Sequence, residues 1–570
     1  MLLQSLLASD PDTTSTDATY AERVVRWVID LDEKGNPVSP GLVDLADPAQ
    51  KDLLKGRQMR TPNAVRTSGD AAIVAVDKLD YLLGTPSSTE PKARENARRR
   101  HQVAVDLHHR LAATITPSPL DAVDRFLTTT PRLGVPDGAV AGDWAAFRVG
   151  GHYVHDHPKV QAAWAKEVLS RKTSGAAGRC LVCGTVGPLA ATFPAQLPLG
   201  SVPGQQQQLA LVSINKRSQG RDGTIGLANT PVCFSCANRS VAALTRLLHQ
   251  QDSHQRLGDD RVIAWWTTDK QRFDPFSLTP NTPAALNAAL SSIHTYRRAH
   301  PHVDTARFHA VIAGANASRL VVHRWVDRTL DEVLTALEQW FEDTTVTSPR
   351  DGPRVFPVWL LAAATGRRDQ QRYGAPAHGA EPAITLAALE GGAPPVALVS
   401  VVCSRVRADG QLTDERAALL RVLLRRHHLS PSEVTMPELN SEATSPAYLC
   451  GRLLAVADSL QHSAIPDLNT SVADKVLGRC SMAPGSILPR VLTGAQAHLK
   501  KLRTSGRGAA ASAIADRLDT IAADLHAFPP TLTLPEQGEF LLGFLHQRHA
   551  DTTARRAHSA DADQKETTDV

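Results

Sequence analysis

The stretch RFHAVIAGANASRLVVHRWVDRTLDEVLTALEQWF, residues 307–341, contains both kinds of secondary structure that the fold requires. Two runs of apolar and β-branched residues flank the turn residues Ala315, Asn316 and Ala317, which predicts two strands joined by a hairpin. From about Thr329 the apolar residues recur at helical spacing, which predicts a helix directly after the second strand. Strands and helices in this order indicate an α+β fold class.

Upstream of this stretch, short strands and helices alternate in the same way. Residues 23–39 alternate apolar and polar side chains up to a glycine-containing turn, which predicts a strand followed by a hairpin turn. Residues 91–115 have helical spacing and a basic polar face, and residues 143–172 predict a strand, a turn, a second strand and a helix. Residues 261–266, RVIAWW, predict a buried strand.

Beyond Leu412 the pattern changes to leucine- and alanine-rich segments, which predict a C-terminal α-helical bundle. The segments with helical spacing are residues 414–428, 445–462, 486–503, 508–526 and 535–549. The length implies about three to five domains. The patterns predict a multi-lobed N-terminal α+β portion divided at residues 1–170, 171–245 and 246–405, then the bundle at 411–550 and a disordered tail at 551–570.

Composition excludes several classes of protein. The formal net charge is only +4, so any nucleic-acid surface must be local. Seven cysteines in 570 residues are no disulfide framework, and the first residues lack the basic segment and long apolar run of a signal peptide. No apolar run reaches the roughly 20 residues that cross a bilayer. We therefore expect a soluble cytoplasmic protein with reduced thiols and no membrane partner.

Two Cys-x-x-Cys pairs predict one structural zinc site, Zn²⁺ being the expected cofactor. The ligands would be Cys180 and Cys183 in CLVC and Cys233 and Cys236 in CFSC. Structural zinc takes four tetrahedral ligands, and two residues between thiols let one turn present both sulfur atoms. Such a closed site leaves no open position for water, so zinc catalysis is not expected.

The cysteine pairs have two other interpretations. Both are expected to form turns, because Gly184 follows the first pair and Asn238 the second. Four reduced, half-buried thiols without a metal would give the same pattern. A redox role is disfavoured, because neither pair is predicted to open a helix after a strand.

The segment HYVHDH holds the residue types of a metal-dependent hydrolase, at His152, His155, Asp156 and His157. Asp156-His157-Pro158 also matches a helix start, with a capping carboxylate and a proline in the first turn. We favour the helix start. Because no phosphate-binding loop, nucleophile elbow or kinase motif is present either, the chain is predicted not to be an enzyme and to have no catalytic residues.

Four local basic segments are candidate nucleic-acid surfaces, although each alone also fits an ordinary solvated surface. They are the loop at 60–69, the helix face at 98–100, the glycine-rich loop at 214–231 and the bundle segment at 498–508. Glycine-rich loops bring backbone N–H groups and cations close to phosphates. The candidate contacts are Arg60, Arg66, Thr67, Ser68, Arg98, Arg99, Lys216, Arg217, Arg221, Lys500, Lys501 and Arg503.

Several segments, taken in order, resemble the large subunit of the type I-C (Dvulg-subtype) CRISPR surveillance complex, or Cascade. The similar segments are MLLQSLL, RVVRWVIDLDEKGNPV, RTSGDAAIVAVDKLDYLLG, FRVGGHYVHDHPKVQAAW, LVSIN…GLANTPV, AGANASRLVVHRW, AYLCGRLLAVADSLQ, LNTSVADKVLGRCSMAPGSILPRVL and LPEQGEFLLGFLHQRH. The resemblance runs almost from end to end of the chain.

The resemblance implies a non-catalytic subunit of an RNA-guided antiviral complex. Such a subunit reads the protospacer-adjacent motif (PAM) in double-stranded DNA, promotes R-loop formation, holds the non-target strand and recruits a helicase-nuclease. Its implied partners are CRISPR RNA, backbone subunits, guide-end-capping subunits and small subunits made from an internal start near Met436. It implies that residues 1–170 form the DNA-recognition region, and it adds Lys78 and Asn229 to the candidate DNA contacts.

The sequence departs from the family pattern in three places. Lys78 stands where the family shows an asparagine, and because a lysine suits a guanine edge or a phosphate, we expect a shifted or relaxed motif preference. The two Cys-x-x-Cys pairs are the second departure. The third is a shorter loop between Asn215 and Asn229.

Two other functions stay open. A stand-alone zinc-dependent nucleic-acid-binding regulator would bind a specific DNA sequence as an isolated chain. A metal-dependent nuclease would use the His152–His157 cluster and cleave DNA by itself.

Overall fold

The computed structural model describes residues 1–9, 19–47, 55–64, 69–129, 133–268 and 273–568, apart from the side chains of 174–176 and 559–568. The chain forms two compact units. The first unit holds Met1–Gln250 and Gly314–Val321, and the second holds Gln251–Ala313 and Val322–Val570. The finer division of the chain stays a prediction.

The first unit combines short strands with six helices in its described part. Its helices are α1 (Leu2–Ala8), α2 (Leu79–Leu82), α3 (Pro91–Ala112), α4 (Asp121–Thr129), α5 (Pro158–Lys172) and α6 (Phe234–His249). Its strands are β1 (Tyr20–Val25), β2 (Trp27–Leu31), β3 (Val43–Asp44), β4 (Arg57–Pro62), β5 (Val76–Lys78), β6 (Trp144–Val149), β7 (His152–Tyr153), β8 (Thr173–Arg179), β9 (Val186–Ala190), β10 (Gln196–Leu197) and β11 (Leu209–Ala210).

A five-stranded sheet organises the core of the first unit. Its strand order is β3-β2-β6-β5, with β7 beside β6, and β2 runs parallel to β6. Side chains from α3, α4 and α5 join those of the sheet in one apolar cluster, represented by Ile29, Leu107, Phe126, Phe147 and Trp164. The predicted strands and helices between residues 23 and 172 are therefore present, since their apolar faces meet in this core.

The second unit begins with strands separated by short helices and ends in long helices. Its strands are β12 (His254–Leu257), β13 (Arg261–Thr267), β14 (Ala284–Ala285), β15 (Arg307–Asn316), β16 (Arg319–Thr329), β17 (Val346–Ser348), β18 (Gly352–Val355), β19 (Arg368–Asp369) and β20 (Arg372–Tyr373). Its helices are α7 (Pro275–Leu278), α8 (Leu286–Ala299), α9 (Leu330–Thr344), α10 (Val358–Ala363), α11 (Ala380–Glu390), α12 (Ala397–Asp409), α13 (Asp414–Arg426), α14 (Pro446–Ala464), α15 (Val472–Cys480), α16 (Pro484–Thr504), α17 (Gly508–Ala523) and α18 (Leu534–Thr568).

The predicted hairpin and helix at 307–341 are β15, β16 and α9. A capping box between Thr329 and Glu332 fixes the start of α9. Its two side chains accept hydrogen bonds from backbone N–H groups that the first turn of the helix leaves unpaired. The hairpin tip, residues 314–321, belongs to the first unit, where Ala210 of β11 lies opposite Arg319. The α+β fold class and the C-terminal helical region are confirmed.

One hydrophobic core extends across the second unit. It includes Phe308 from strand β15, Trp340 from helix α9, and Leu420, Tyr448 and Phe544 from the C-terminal helices. The predicted bundle therefore shares its core with part of the predicted 246–405 region. Among the described residues, no helix is both long and apolar enough to cross a membrane.

The sequence predicts a disordered tail from residue 551, whereas α18 continues past this position to Thr568. Asp551 is buried, and its carboxylate accepts hydrogen bonds from Arg517 at 2.6 Å and from Gln547 at 2.9 Å. These contacts hold the start of the polar segment in the helix.

Close packing of α14 against α18 yields the first prediction. A Cβ atom at Gly451 would lie 2.0 Å from the carbonyl oxygen of Phe540, so Gly451→Ala forces the two backbones apart. We expect a loss of about 1–3 kcal/mol, measured as a lower midpoint of thermal unfolding. Gly494→Ala in α16 is the matched control. Its Cβ meets nothing within 4 Å, so helix propensity should keep or slightly raise the midpoint. Equal midpoints for both variants would contradict this packing.

Candidate metal centre and basic loop

The four predicted cysteines come together in the first unit. The sulfur atoms of Cys180, Cys183, Cys233 and Cys236 all lie within 4.8 Å of one another, and those of Cys183 and Cys233 are 4.0 Å apart. Tetrahedral zinc with Zn–S bonds of about 2.3 Å requires sulfur separations of about 3.8 Å. The cluster therefore has the donor set and the spacing to hold a metal ion, consistent with zinc.

The first pair lies in the turn between β8 and β9. The Cys180 N–H donates to the carbonyl of Thr185 at 3.0 Å, and the Gly184 N–H donates to the carbonyl of Cys180 at 2.9 Å. Gly184 has φ +73°, a left-handed conformation that favours glycine. The backbone N–H groups of Val182 and Cys233 point at the Cys180 sulfur, at 3.4 and 3.3 Å. The predicted turn is confirmed for this pair.

The second pair opens a helix, contrary to the prediction of a turn. Cys233 is the N-cap of α6, and Asn238 lies buried within that helix. An isolated bridge between Leu189 and Cys233 fixes this helix start beside β9. The helix start that the redox argument did not expect is therefore present, although an isolated bridge rather than a strand precedes it. Burial raises the pKa of both Cys233 and Cys236, however, whereas a reactive Cys-x-x-Cys pair needs a lowered pKa.

The pKa of Cys183 is shifted in the opposite direction from those of Cys233 and Cys236. Hydrogen bonds from the side chain and the backbone of Thr185 lower the pKa of Cys183 to about 6, and this thiol is exposed. Burial raises the pKa values of Cys233 and Cys236. Thiolates are the metal ligands, so a metal ion would have to displace protons from Cys233 and Cys236.

The basic loop, residues 216–229, lies between the two cysteine pairs in sequence. Lys216, Arg217 and Arg221 are exposed. Gly220 is sterically required, since a Cβ there would lie 1.7 Å from the carbonyl oxygen of Thr224. The Asn229 side-chain amide donates to the carbonyl of Arg221 at 3.1 Å, which closes the loop on itself.

Both ends of the basic loop are attached to ordered structure. At its start, the guanidinium of Arg319 donates to the Ser213 carbonyl at 3.1 Å and to the Asn215 side-chain oxygen at 2.6 Å. At its end, the Leu181 N–H donates to the carbonyl of Pro231, two residues before Cys233. Sequence reasoning missed Arg319, because its partners lie more than 100 residues away and no local pattern marks it.

The other predicted contacts in the first unit have mixed surroundings. Arg60 is exposed, 5.7 Å from the ring centre of Tyr20. Lys78 is half-buried, with its ammonium 6.0 Å from the ring centre of Trp144. The predicted contacts Arg66, Thr67 and Ser68 lie outside the described residues.

The predicted helix face at 98–100 lies on α3. Arg98 is exposed and has no hydrogen bond or ion pair to the described part of the chain. Arg99 differs, because its guanidinium pairs with Asp70 at 2.6 Å. This ion pair offsets part of the charge that would attract a phosphate. The role of both residues in DNA binding stays a prediction.

The predicted bundle contacts are on the last turns of α16 in the second unit. Lys500, Lys501 and Arg503 are exposed there, and none forms an ion pair within the described residues. Their role in DNA binding stays a prediction.

The side chains of the histidine segment, residues 152–157, do not converge on one point. His155 is buried, and burial lowers its pKa, while His152 and His157 are exposed. The ring of His157 accepts a hydrogen bond from the Lys159 N–H at 3.2 Å and caps α5, with Pro158 in the first turn. The predicted helix start is confirmed, but the cap is this imidazole rather than the carboxylate of Asp156. Among the described residues, only the four cysteines form a group suited to a metal ion.

A family model described as CRISPR-associated protein (Cas_Csd1) matches residues 4–551. The match includes the four cysteines, the basic loop and all helices from α2 to α17. No curated protein sequence matches the chain.

The cysteine cluster yields the second prediction. Purified protein should hold about one equivalent of zinc per chain, and Cys233→Ser should lose most of it, because a ligand is removed. Cys403→Ala is the control, since this buried thiol lies in the second unit and its loss should leave the metal in place. Zinc affinity should fall as pH falls, because protons compete for the thiolates. Full zinc content in Cys233→Ser, or none in the parent protein, would contradict the site.

Proposed function

The chain belongs to the Cas_Csd1 family of CRISPR-associated proteins, and on that basis we propose that it is the non-catalytic large subunit of a type I-C Cascade. In this role it reads the PAM in double-stranded DNA, promotes R-loop formation, holds the non-target strand and recruits the helicase-nuclease. It acts in antiviral defence in the cytoplasm. The observation that carries the proposal is the family match across residues 4–551, almost the whole chain.

The basic loop supports a role in DNA contact. Its exposed Lys216, Arg217 and Arg221 lie on a loop that is internally hydrogen-bonded and attached at both ends. Cations on an ordered loop can contact phosphates without first losing the entropy of a mobile segment. We propose zinc as the structural ion of the cysteine cluster, where it fixes the end of this loop.

The bundle supports a role in strand guidance. Lys500, Lys501 and Arg503 place three cations within the last two turns of one helix. A group of exposed cations attracts a single strand through its phosphates and without regard to sequence. We propose that this helix contacts the displaced strand.

The two rival functions have weaker support. A nuclease centre at His152–His157 would need convergent ligands, whereas one of these histidines is buried and another caps a helix. A stand-alone regulator requires specific binding by the isolated chain. The proposed subunit would bind DNA weakly and salt-sensitively alone, and specifically only with guide RNA and the backbone subunits.

Assembly is the third prediction. Co-expression with guide RNA, backbone subunits and the guide-end-capping subunit should yield a complex that contains this chain and a short product comprising residues 436–570. Met436 lies between α13 and α14, so that product would contain α14 to α18 complete. The Met436→Ala change should remove the short product alone, because this side chain is 42% exposed and its loss should not affect folding. Mass spectrometry of the purified complex reports both species. An unchanged short product would remove the internal start, and failure of the chain to co-purify would contradict the subunit role.

Motif preference is the fourth prediction. In the assembled complex, Lys78→Asn should shift the PAM preference, because asparagine binds an adenine edge with two hydrogen bonds while lysine suits guanine acceptors. Binding to a library of randomised motifs measures the change. Lys34→Ala, an exposed lysine in the hairpin turn after β2, is the control and should keep the parent preference. Equal weakening of all motifs by Lys78→Ala would make this residue a phosphate contact instead.

A further inference from the structure

Arg319 joins the tip of the β15–β16 hairpin to the start of the basic loop. Its Nε donates to the Ser213 carbonyl at 3.1 Å, and its Nη2 donates to the Asn215 side-chain oxygen at 2.6 Å. We propose that Arg319 is a positioning residue that orders the basic loop for DNA contact. The proposal rests on the proposed function, in which this loop contacts the DNA.

The charge of Arg319 is directed at these two neutral acceptors. No carboxylate lies within 4.0 Å of its guanidinium among the described residues, and the side chain is half-buried. Hydrogen bonds from a charged donor are about twice as strong as neutral ones, and the planar guanidinium fixes the angle between its two acceptors. A lysine would provide one point charge without the fixed, planar arrangement of donors that holds the two acceptors in place.

The hairpin tip gives Arg319 a rigid base. The Ala210 N–H donates to the Ser318 carbonyl at 2.9 Å, and Ala210 lies opposite Arg319 in the parallel pairing of β11 and β16. Ala317 adopts φ +51° in the turn, which aligns the following residues with β11. The backbone and the side chain of Arg319 thus belong to one ordered segment, and this segment fixes the position of Asn215.

Asn215 directly precedes the exposed cations of the loop. Lys216 and Arg217 follow it in the chain, and the Gly226 N–H donates to the Ile214 carbonyl at 2.8 Å, which brings the two arms of the loop together. The cysteine cluster holds the other end, beyond Asn229. Loss of the Arg319 contacts would therefore release the arm that carries Lys216 and Arg217, even with the metal in place.

The first test measures order in the loop without DNA. Trypsin cleaves after Lys216, Arg217 and Arg221, and cleavage reports local opening. In the full chain, Arg319→Ala should speed cleavage at these sites about tenfold, because two charge-assisted hydrogen bonds are lost. Asn215→Asp should keep the parent rate, since an aspartate accepts from the same guanidinium. Arg324→Ala is the matched control on the same strand, where Arg324 pairs with Glu390 at 3.0 Å, and it should also cleave at the parent rate.

The second test uses the assembled complex on target DNA. Arg319→Ala should lower affinity while the slope of log affinity against log salt stays unchanged, because no phosphate contact is removed. Lys216→Ala should reduce that slope by about one. A slope reduced by about one in Arg319→Ala would make this residue itself a phosphate contact and overturn the positioning role.

The two tests separate the inference from the proposed function. Unchanged cleavage in Arg319→Ala would overturn the inference, whatever the DNA result. Faster cleavage with unchanged DNA affinity would confirm that Arg319 orders the loop and would overturn the proposal that this loop contacts DNA.

Discussion

Four sulfur atoms within 4.8 Å of one another connect the end of a hairpin to the start of a helix, with Cys183 and Cys233 separated by 50 positions in the sequence. Bringing the two ends of such a long segment together costs conformational entropy. Hydrogen bonds at the surface of the segment would offset little of this cost. A metal ion bound to the four cysteines would offset this cost, because its four bonds would form only when both ends are in place. The basic loop lies within the closed segment, so its order depends on this constraint.

The constraint at the cysteine cluster acts together with a second constraint of a different chemical kind, at Arg319. Arg319 holds the first arm of the basic loop through hydrogen bonds, whereas the cysteine cluster holds the last arm through a strand bridge and a helix start. Ordering a residue costs about 1–2 kcal/mol of conformational entropy, so a loop of this length needs both attachments to stay in one conformation. Its cations can then meet a phosphate backbone without a further ordering step.

Local patterns predicted most elements of the fold, and long-range contacts account for the errors. Helical spacing located α3 and α9, and the Cys-x-x-Cys spacing located all four cysteines of the cluster. The same spacing could not show that the second pair caps α6. No local pattern showed that Arg99, a predicted phosphate contact, also pairs with Asp70, which lies 29 positions earlier in the chain. Arg319 was missed entirely, because its two acceptors are brought to it only by the pairing of β11 with β16.

The most direct measurement is photo-cross-linking from the tip of the basic loop in the assembled complex. A photoreactive residue at the exposed position Ser218 would be combined with target DNA and guide RNA. We predict cross-links to the duplex beside the PAM, and their loss when Cys236→Ser is added. Absence of these cross-links in the complete complex, or undiminished cross-links in the Cys236→Ser protein, would contradict the account.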